Sequence, residues 1–435
     1  MSGSETSPAP GSAEGRPFGV WTAAALVVGG MIGAGVFVMP AQLAPYGWTG
    51  VAGWSVAIPG AMLLAFVLSQ LATARPAASG AVVIVGEALG PLPGVLVGWS
   101  YWVGICSANA IIALTAVRYG ATFVPALTAT PLATALGATT LIWALTALNL
   151  GGAKGAGRFQ VVTTLLKLLP LFAVVLILLG LTFTDAARFS AHPHAPFDAT
   201  KLTTVLTLCF FPLVGFEAAS LAAERVRDPA RNVLRATLYG TALTGLLYVA
   251  IGNGVVFALP AALVAGSDAP IALFVEQFWG RGAGLAIAAF ASIAAIGCLN
   301  GWTLMQGEVP LGMARSGLMP PFLGRTSDRD VPTVAILLSS AFASALVLSG
   351  AIPGLTGVLT FMLQLTTAAT VWLYVGACAA ALALGIARPF AAVGLVFAAW
   401  VLWGSGTEAL LLSIALMLTA IPLYWLRPAQ IEEPV

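Results

Sequence analysis

Charge is scarce in this chain. Asp, Glu, Lys and Arg make up 8% of its 435 residues, where a soluble globular domain carries about 25%. Hydrophobic residues make up 59%, and the mean hydropathy is +0.98. A soluble fold of this length has too little polar surface to hide so much apolar side chain, so much of the chain must face lipid. The net charge of +2 leaves no basic field for nucleic acid. Histidine is nearly missing. The two present, His192 and His194, share a polar stretch with no carboxylate or cysteine cluster beside them, which reads as a solvated loop rather than a metal site. The four cysteines, Cys106, Cys209, Cys298 and Cys378, sit singly in apolar runs. Without a C-x-x-C pair they read as buried thiols, not as a disulfide or metal framework. Catalytic signatures are also missing: there is no Walker A loop, no G-x-S-x-G elbow and no H-E-x-x-H helix. These absences argue against an ATP-driven pump or a membrane hydrolase, and they call for no metal and no cofactor.

Long apolar runs are what the chain does have. A helix needs about 20 apolar residues to cross a bilayer. Twelve runs qualify, over 17–40, 48–70, 92–117, 131–150, 159–182, 202–222, 236–258, 282–304, 333–351, 355–384, 389–406 and 408–427. In lipid every backbone N–H and C=O needs a partner within the protein, which makes helices the economical reading throughout. Residues 17–427 therefore read as one all-α transmembrane domain. Residues 1–16, rich in Ser, Gly, Pro and Ala, read as a disordered cytoplasmic N-terminus, and 428–435 as a cytoplasmic tail. The first apolar run has no basic n-region and no small-residue cleavage site, so it reads as a retained helix. With the N-terminus inside, thirteen basic residues fall on the inner side, Arg16, Lys154, Arg158, Arg225 and Arg329 among them. Four fall outside: Arg118, Arg188, Lys201 and Arg281. That excess follows the positive-inside rule of an inner-membrane protein, and an even span count returns the C-terminus to the cytoplasm.

Two spans carry unusual residues in corresponding places. The first holds Gly29-Gly30-Met31-Ile32-Gly33-Ala34-Gly35, and the sixth holds Pro212-Leu213-Val214-Gly215-Phe216-Glu217. Glycine and proline weaken helices through entropy, lost donors and steric clash. The glycines of the first span are also compatible with close helix packing. The matching interruption in the sixth favours broken helices, because spans one and six open two five-helix halves. Paired breaks of this kind mark an inverted-repeat transporter, and they expose N–H groups for a substrate carboxylate and C=O groups for its ammonium.

Only Lys167 and Glu217 are ionisable residues deep within a span. A charge at a helix centre costs roughly 2.5–3.5 kcal/mol on insertion scales, so each is a functional candidate. Glu217, beside the second break, reads either as a group that loads and releases a proton or as a structural acceptor for freed backbone N–H groups. Lys167 lies about 13 Å into the expected fifth span at about 1.5 Å per residue. It reads as a fixed cation, as a proton carrier, or as a lysine held by backbone carbonyls for stability alone. Tyr101, Phe211 and Trp302 are candidate cavity aromatics. Trp is the best cation–π surface, and Trp302 follows the small and polar pair Asn300-Gly301. Asn109 adds an amide to an otherwise apolar third span. Interfacial belts remain the other reading for Tyr and Trp.

Several of these stretches resemble the amino acid–polyamine–organocation superfamily. Gly30-Met31-Ile32-Gly33-Ala34-Gly35-Val36-Phe37 looks like its unwound first-helix motif. Gly215-Phe216-Glu217-Ala218-Ala219, followed by Arg227-Asp228-Pro229-Ala230-Arg231-Asn232-Val233, looks like its sixth helix and inner loop. Ala314-Arg315-Ser316-Gly317-Leu318-Met319-Pro320 looks like its loop after helix eight. Within the superfamily, Tyr101-Trp102 through Asn109 and Gly301-Trp302-Thr303-Leu304 are similar to the basic amino acid and polyamine antiporter branch. The resemblance implies a LeuT-type 5+5 inverted repeat with helices 1 and 6 broken. It also implies Met31, Ala34 and Gly35 on the substrate's α-groups, and Phe211 and Val214 along its aliphatic part. Gly104, Ile105 and Ile112 would line its tail pocket, Asn109 would face the substrate, Trp302 would face its distal cation, Tyr101 would be a gate, and Glu217 would govern pH dependence.

The chain departs from that branch in places. Phe211 stands for a tryptophan, Ala34 for a serine, Gly30 for an asparagine and Ile112 for a methionine. The serine expected on helix ten has no counterpart near Phe361 to Gln364. Lys167 resembles instead the helix-five lysine of proton-coupled amino-acid members. The expectation is an antiporter that exchanges an arginine-like cationic amino acid for an agmatine-like amine. A proton-coupled symporter using Lys167 is the alternative. The expected partners are the small-molecule substrate and membrane lipid, with a homodimer left open.

Overall fold

The computed structural model describes residues 19–75, 80–151, 166–217, 226–328, 331–352 and 357–427. The expected disordered N-terminus, the C-terminal tail and the inner-side residues Arg16, Lys154, Arg158, Arg225 and Arg329 lie outside them. Among the described residues the chain is helical, with short 3₁₀ turns and no strand. In order the helices are α1 (Val20–Met31), α2 (Ala34–Leu43), α3 (Trp48–Ala74), α4 (Ala81–Leu89), α5 (Pro91–Gly120), α6 (Pro131–Leu150) and α7 (Leu168–Thr184). There follow α8 (Leu202–Phe210), α9 (Pro229–Ala258), α10 (Ala261–Ala265), α11 (Pro270–Trp279), α12 (Arg281–Arg315) and α13 (Thr333–Ser349). The last are α14 (Val358–Leu384), α15 (Arg388–Gly404), α16 (Thr407–Leu418) and α17 (Ala420–Trp425).

Against the twelve expected spans, seven helices among the described residues are long and apolar enough to cross a membrane, or eight if the bent pair α1 and α2 is one span. Four shorter apolar helices, α7, α8, α13 and α15, occupy the remaining expected runs. Several boundaries differ from expectation. The eighth expected span, 282–304, continues to Arg315, and the seventh begins at Pro229 rather than 236. Both extensions run through residues that a lipid criterion excludes but a helix accepts, with proline at a helix start and arginine in a last turn. Helices α4, α10 and α11 stand where loops were expected. They are too short to span, so a search for 20-residue runs passes over them.

Burial orders the bundle. In α5 83% of the span window is buried, and in α14 67%, which puts this pair at the centre. In α6 the figure is 28%, and in the stretch from α16 through α17 it is 17%, which puts these at the rim. Rim residues such as Phe172, Phe183, Val396 and Trp403 are exposed, as lipid contact requires. Several buried hydroxyls inside the bundle are satisfied by their own helices. Ser69, Ser107, Thr115 and Thr367 each donate to the carbonyl four residues earlier, which removes the cost of an unpaired donor in an apolar interior.

The segment between α7 and α8 is pinned across the end of the bundle. Trp48 N–H donates to the Ala195 carbonyl at 3.0 Å, Asp198 N–H donates to the Thr49 hydroxyl at 2.9 Å, and the His194 ring packs on Phe257. The Thr200 hydroxyl and N–H, with the Lys201 ammonium, hold the Asp198 carboxyl below the usual carboxylate range.

Close approach of α15 to α8 depends on Gly404, where a Cβ would run into the Thr203 carbonyl and the Thr207 hydroxyl. Gly404→Ala is therefore expected to cost about 1–3 kcal/mol by overpacking, read as a lower melting temperature of the purified protein in detergent. An unchanged melting temperature would show that the two helices have room to separate.

Candidate substrate site

The glycine run of the first span breaks its helix. α1 stops at Met31, α2 starts at Ala34, and the two are bent by 47° across Ile32 and Gly33. The carbonyls at the end of α1 find partners elsewhere. Gly29 accepts from the Lys167 ammonium at 2.6 Å, and Met31 accepts from the Tyr248 hydroxyl at 2.6 Å. At the other side of the break, the N-terminus of α2 has no side-chain cap.

The sixth expected span also leaves the helix. α8 ends at Phe210, one 3₁₀ turn runs from Phe211 to Leu213, and Val214 is no longer helical. Residues 218–222 of that span, with Ala218 and Ala219 of its motif, lie outside the described residues. Pro212 has no N–H to continue the helix, and Gly215 takes φ +113°, a conformation that strains any residue with a Cβ. The two interruptions touch. A Cβ on Gly35 would collide with Pro212, and one on Gly215 would come within 2.9 Å of the Gly30 carbonyl.

Between these interruptions and the central helices lies a small cavity of about 40 Å³. Met31, Ala34, Gly35, Tyr101, Gly104, Ile105, Ile112, Phe211, Val214 and Trp302 all line it, ten of the thirteen expected site residues. Sequence reasoning missed Cys298, Thr366 and Thr370, which line it as well. Thr366 and Thr370 are the hydroxyl-bearing residues that α14 brings to the cavity, beyond the stretch Phe361 to Gln364. The Thr366 hydroxyl is buried and has no hydrogen-bond partner. No charged side chain is among the lining residues.

The three other expected residues stand behind the walls. Asn109 is buried and donates its amide to Gln306 at 2.6 Å. Gln306 in turn donates to Ser340 at 3.0 Å, and Ser340 pairs with Thr146 at 2.6 Å. Lys167 is also buried, and its ammonium reaches the Gly29 carbonyl from a position between helical Leu166 and the start of α7; residues 159–165 of the expected fifth span lie outside the described residues. Glu217 accepts three hydrogen bonds. The Tyr101 hydroxyl donates at 2.8 Å, the Tyr374 hydroxyl at 3.1 Å and the Gly215 N–H at 3.0 Å.

These residues form levels along the antiparallel pair α5 and α14. On α5, Tyr101 precedes the cavity residues Gly104, Ile105 and Ile112. On α14, Thr366 and Thr370 line the cavity and Tyr374 follows one turn later. The Glu217 cluster therefore closes one end of the cavity from both helices. Ser100 donates to the Ala369 carbonyl at 2.8 Å, and Gly104 faces Thr370 with no room for a Cβ, so the helices meet closely at this level.

Apolar helices around a small cavity, with two touching helix interruptions in its wall, are the architecture of a secondary transporter. The amino acid permease family profile matches residues 18–430, and the chain belongs to that family. It is 30% identical over 338 residues to the cadaverine/lysine antiporter of Escherichia coli strain K12, covering 77% of this chain and 74% of that protein. It is 26% identical over 415 residues to the putrescine transporter PotE of Haemophilus influenzae, covering 92% and 94%. Its fold matches that of Mhp1, a nucleobase–cation–symport-1 family transporter in a closed conformation, with a TM-score of 0.52 and 15% identity over 94% of each chain.

Tyr374→Phe removes one of the two side-chain donors to Glu217 while keeping the ring stacked on Phe216. The expected result is a loss of about 0.5–3 kcal/mol of stability, read by thermal melting in detergent. No change would mean that the hydroxyl does not hold the carboxyl.

Proposed function

We propose that the protein is an amino acid and polyamine antiporter of a bacterial inner membrane, with both termini in the cytoplasm, working by alternating access. Its substrates are a linear cationic amino acid and the amine left by decarboxylation. The observation that carries this reading is the cavity itself: backbone from two helix interruptions on one side, Trp302 on another, and no charged side chain in its lining. The uncapped N-terminus of α2, at Ala34 and Gly35, offers N–H groups to an α-carboxylate. Phe211 and Val214 suit the aliphatic part of the substrate, and Gly104, Ile105 and Ile112 its tail. Asn109, held by Gln306, backs that tail pocket.

Backbone recognition of the carboxylate also explains why one site would take both partners of an exchange. An amine without the carboxylate leaves only backbone dipoles unmatched, not a buried unpaired charge, whose cost is far larger. Ligand pockets commonly measure about 300–1,000 Å³, so a cavity of about 40 Å³ must widen to admit substrate. Tyr101 is the gate in this reading, and Glu217, which holds it, is the group that couples opening to protons. The names of the two relatives support lysine, cadaverine and putrescine as substrates to test, and the arginine/agmatine pair stands beside them.

A second reading, proton-coupled symport, is favoured by one observation. Lys167 is 3% exposed, and its ammonium caps Gly29 at the end of the broken helix. Purified protein in proteoliposomes separates the two. Antiport requires uptake of labelled lysine or arginine only into vesicles preloaded with an amino acid or amine. Strong uptake into empty vesicles under a proton gradient would sink the exchange reading and install Lys167 as the proton carrier.

Trp302→Leu tests the distal contact in the same vesicles. Loss of the aromatic face should weaken binding of a cationic substrate by about 0.5–2 kcal/mol, measured as ligand-induced thermal shift. Unchanged affinity in a folded variant would remove Trp302 from the site.

A further inference from the structure

A second cavity, of about 460 Å³, lies beyond the first. Its lining includes Leu114 and Arg118 of α5, Gln42 of α2, Thr360 of α14, and Asp268 from the segment between α10 and α11. Three helices place it in line with the first cavity. On α5, Arg118 comes six residues after Ile112; on α2, Gln42 comes seven after Gly35; on α14, which runs the other way, Thr360 comes six before Thr366. At about 1.5 Å per residue each step is about 9–10 Å. The second cavity is thus at the end opposite the Glu217 cluster, where Arg118 was assigned to the outer side.

Among the described residues, Arg118 and Asp268 are the only charged ones lining either cavity. They face each other at 3.4 Å, with side chains 32% and 55% exposed. A pair this well solvated contributes little to stability and exchanges partners readily. Its position, on the line that leads to an uncharged cavity, matters more than its strength.

We propose that the second cavity is a transit site for the substrate, in which Asp268 takes the ammonium group and Arg118 the α-carboxylate. The inference rests on the amino acid and polyamine reading above. A zwitterionic α-amino acid carries both charges on one carbon. It replaces the Arg118–Asp268 pair with two pairs of its own, so both protein charges keep partners and only the substrate's side-chain cation stays in water. A diamine brings ammonium groups alone. It competes with Arg118 for Asp268, and the guanidinium is released to water. The site therefore treats the two exchange partners differently before either reaches the first cavity.

That difference gives the test. Initial uptake is measured in preloaded proteoliposomes for lysine with cadaverine, and for arginine with agmatine, in wild type, Asp268→Asn and Arg118→Gln. Asp268→Asn is expected to raise KM for amino acid and amine alike, by about two- to fivefold. Arg118→Gln is expected to raise KM for the amino acid and to lower it for the amine, because Asp268 is then free of its competitor. The ratio of the two KM values is read within one preparation, so a loss of folded protein cancels from it. Unmoved KM values in Asp268→Asn, or a shift of both substrates in the same direction in Arg118→Gln, would overturn the transit site and leave a structural ion pair. Wild-type vesicles that take up none of the four compounds would overturn the transport reading itself, and this inference with it.

Discussion

Three hydrogen bonds converge on one carboxyl group, and the arrangement around the cavity depends on them. Glu217 joins Tyr101 of α5, Tyr374 of α14 and the N–H of Gly215 at the second helix interruption. These come from parts of the chain far apart in sequence. A buried carboxyl without donors would be costly in an apolar bundle, so the two tyrosines and the irregular turn are held to it as much as it is held to them. With this end drawn together, α5 and α14 meet closely enough that Gly104 has no space for a methyl group opposite Thr370. The small size of the cavity follows from the same constraint.

The first interruption is held differently. Its freed carbonyls are met one by one, by an ammonium at Gly29 and a phenol at Met31. At the start of α2 the N-cap is Gly33, which has no side chain to cap the helix, and the Cys298 thiol lies against it. The carbonyl face of the break thus meets an ammonium and a phenol, and the amide face only a thiol. That asymmetry gives the wall a polarity although no charged residue lines the cavity.

Much of this was legible in the sequence where a residue type can do only one thing. The glycine run from Gly29 to Gly35 and the pair Pro212 and Gly215 announced both interruptions, because neither stretch sustains a helix. Apolar length marked the long helices and missed α4 and α11, which are apolar but short. Residues whose meaning depends on a distant partner were harder to read. Asn109 drew attention as an amide in an apolar helix, yet it turns to Gln306, 197 positions away. Lys167 stood out as a charge in an apolar run, yet the carbonyl it meets, Gly29, is 138 positions away. Thr366 was passed over because a threonine in a buried helix commonly bonds its own backbone, as neighbouring Thr367 does. Only the fold shows that its hydroxyl has no such partner.

The two antiparallel helices through the centre act together as a ruler. Each level of the route is marked once on α5 and once on α14, in opposite order: the tyrosines, then the small cavity, then the polar chamber beyond it. Inserting one residue into either helix would turn everything past it by about 100° and set the two scales out of step. Substitution has no such effect, since it changes the depth of a single mark. Trading side-chain volume at a fixed level, as at Ile105, Ile112 or Thr366, changes the size of the cavity without moving the levels. A change in the spacing between levels moves every mark beyond it.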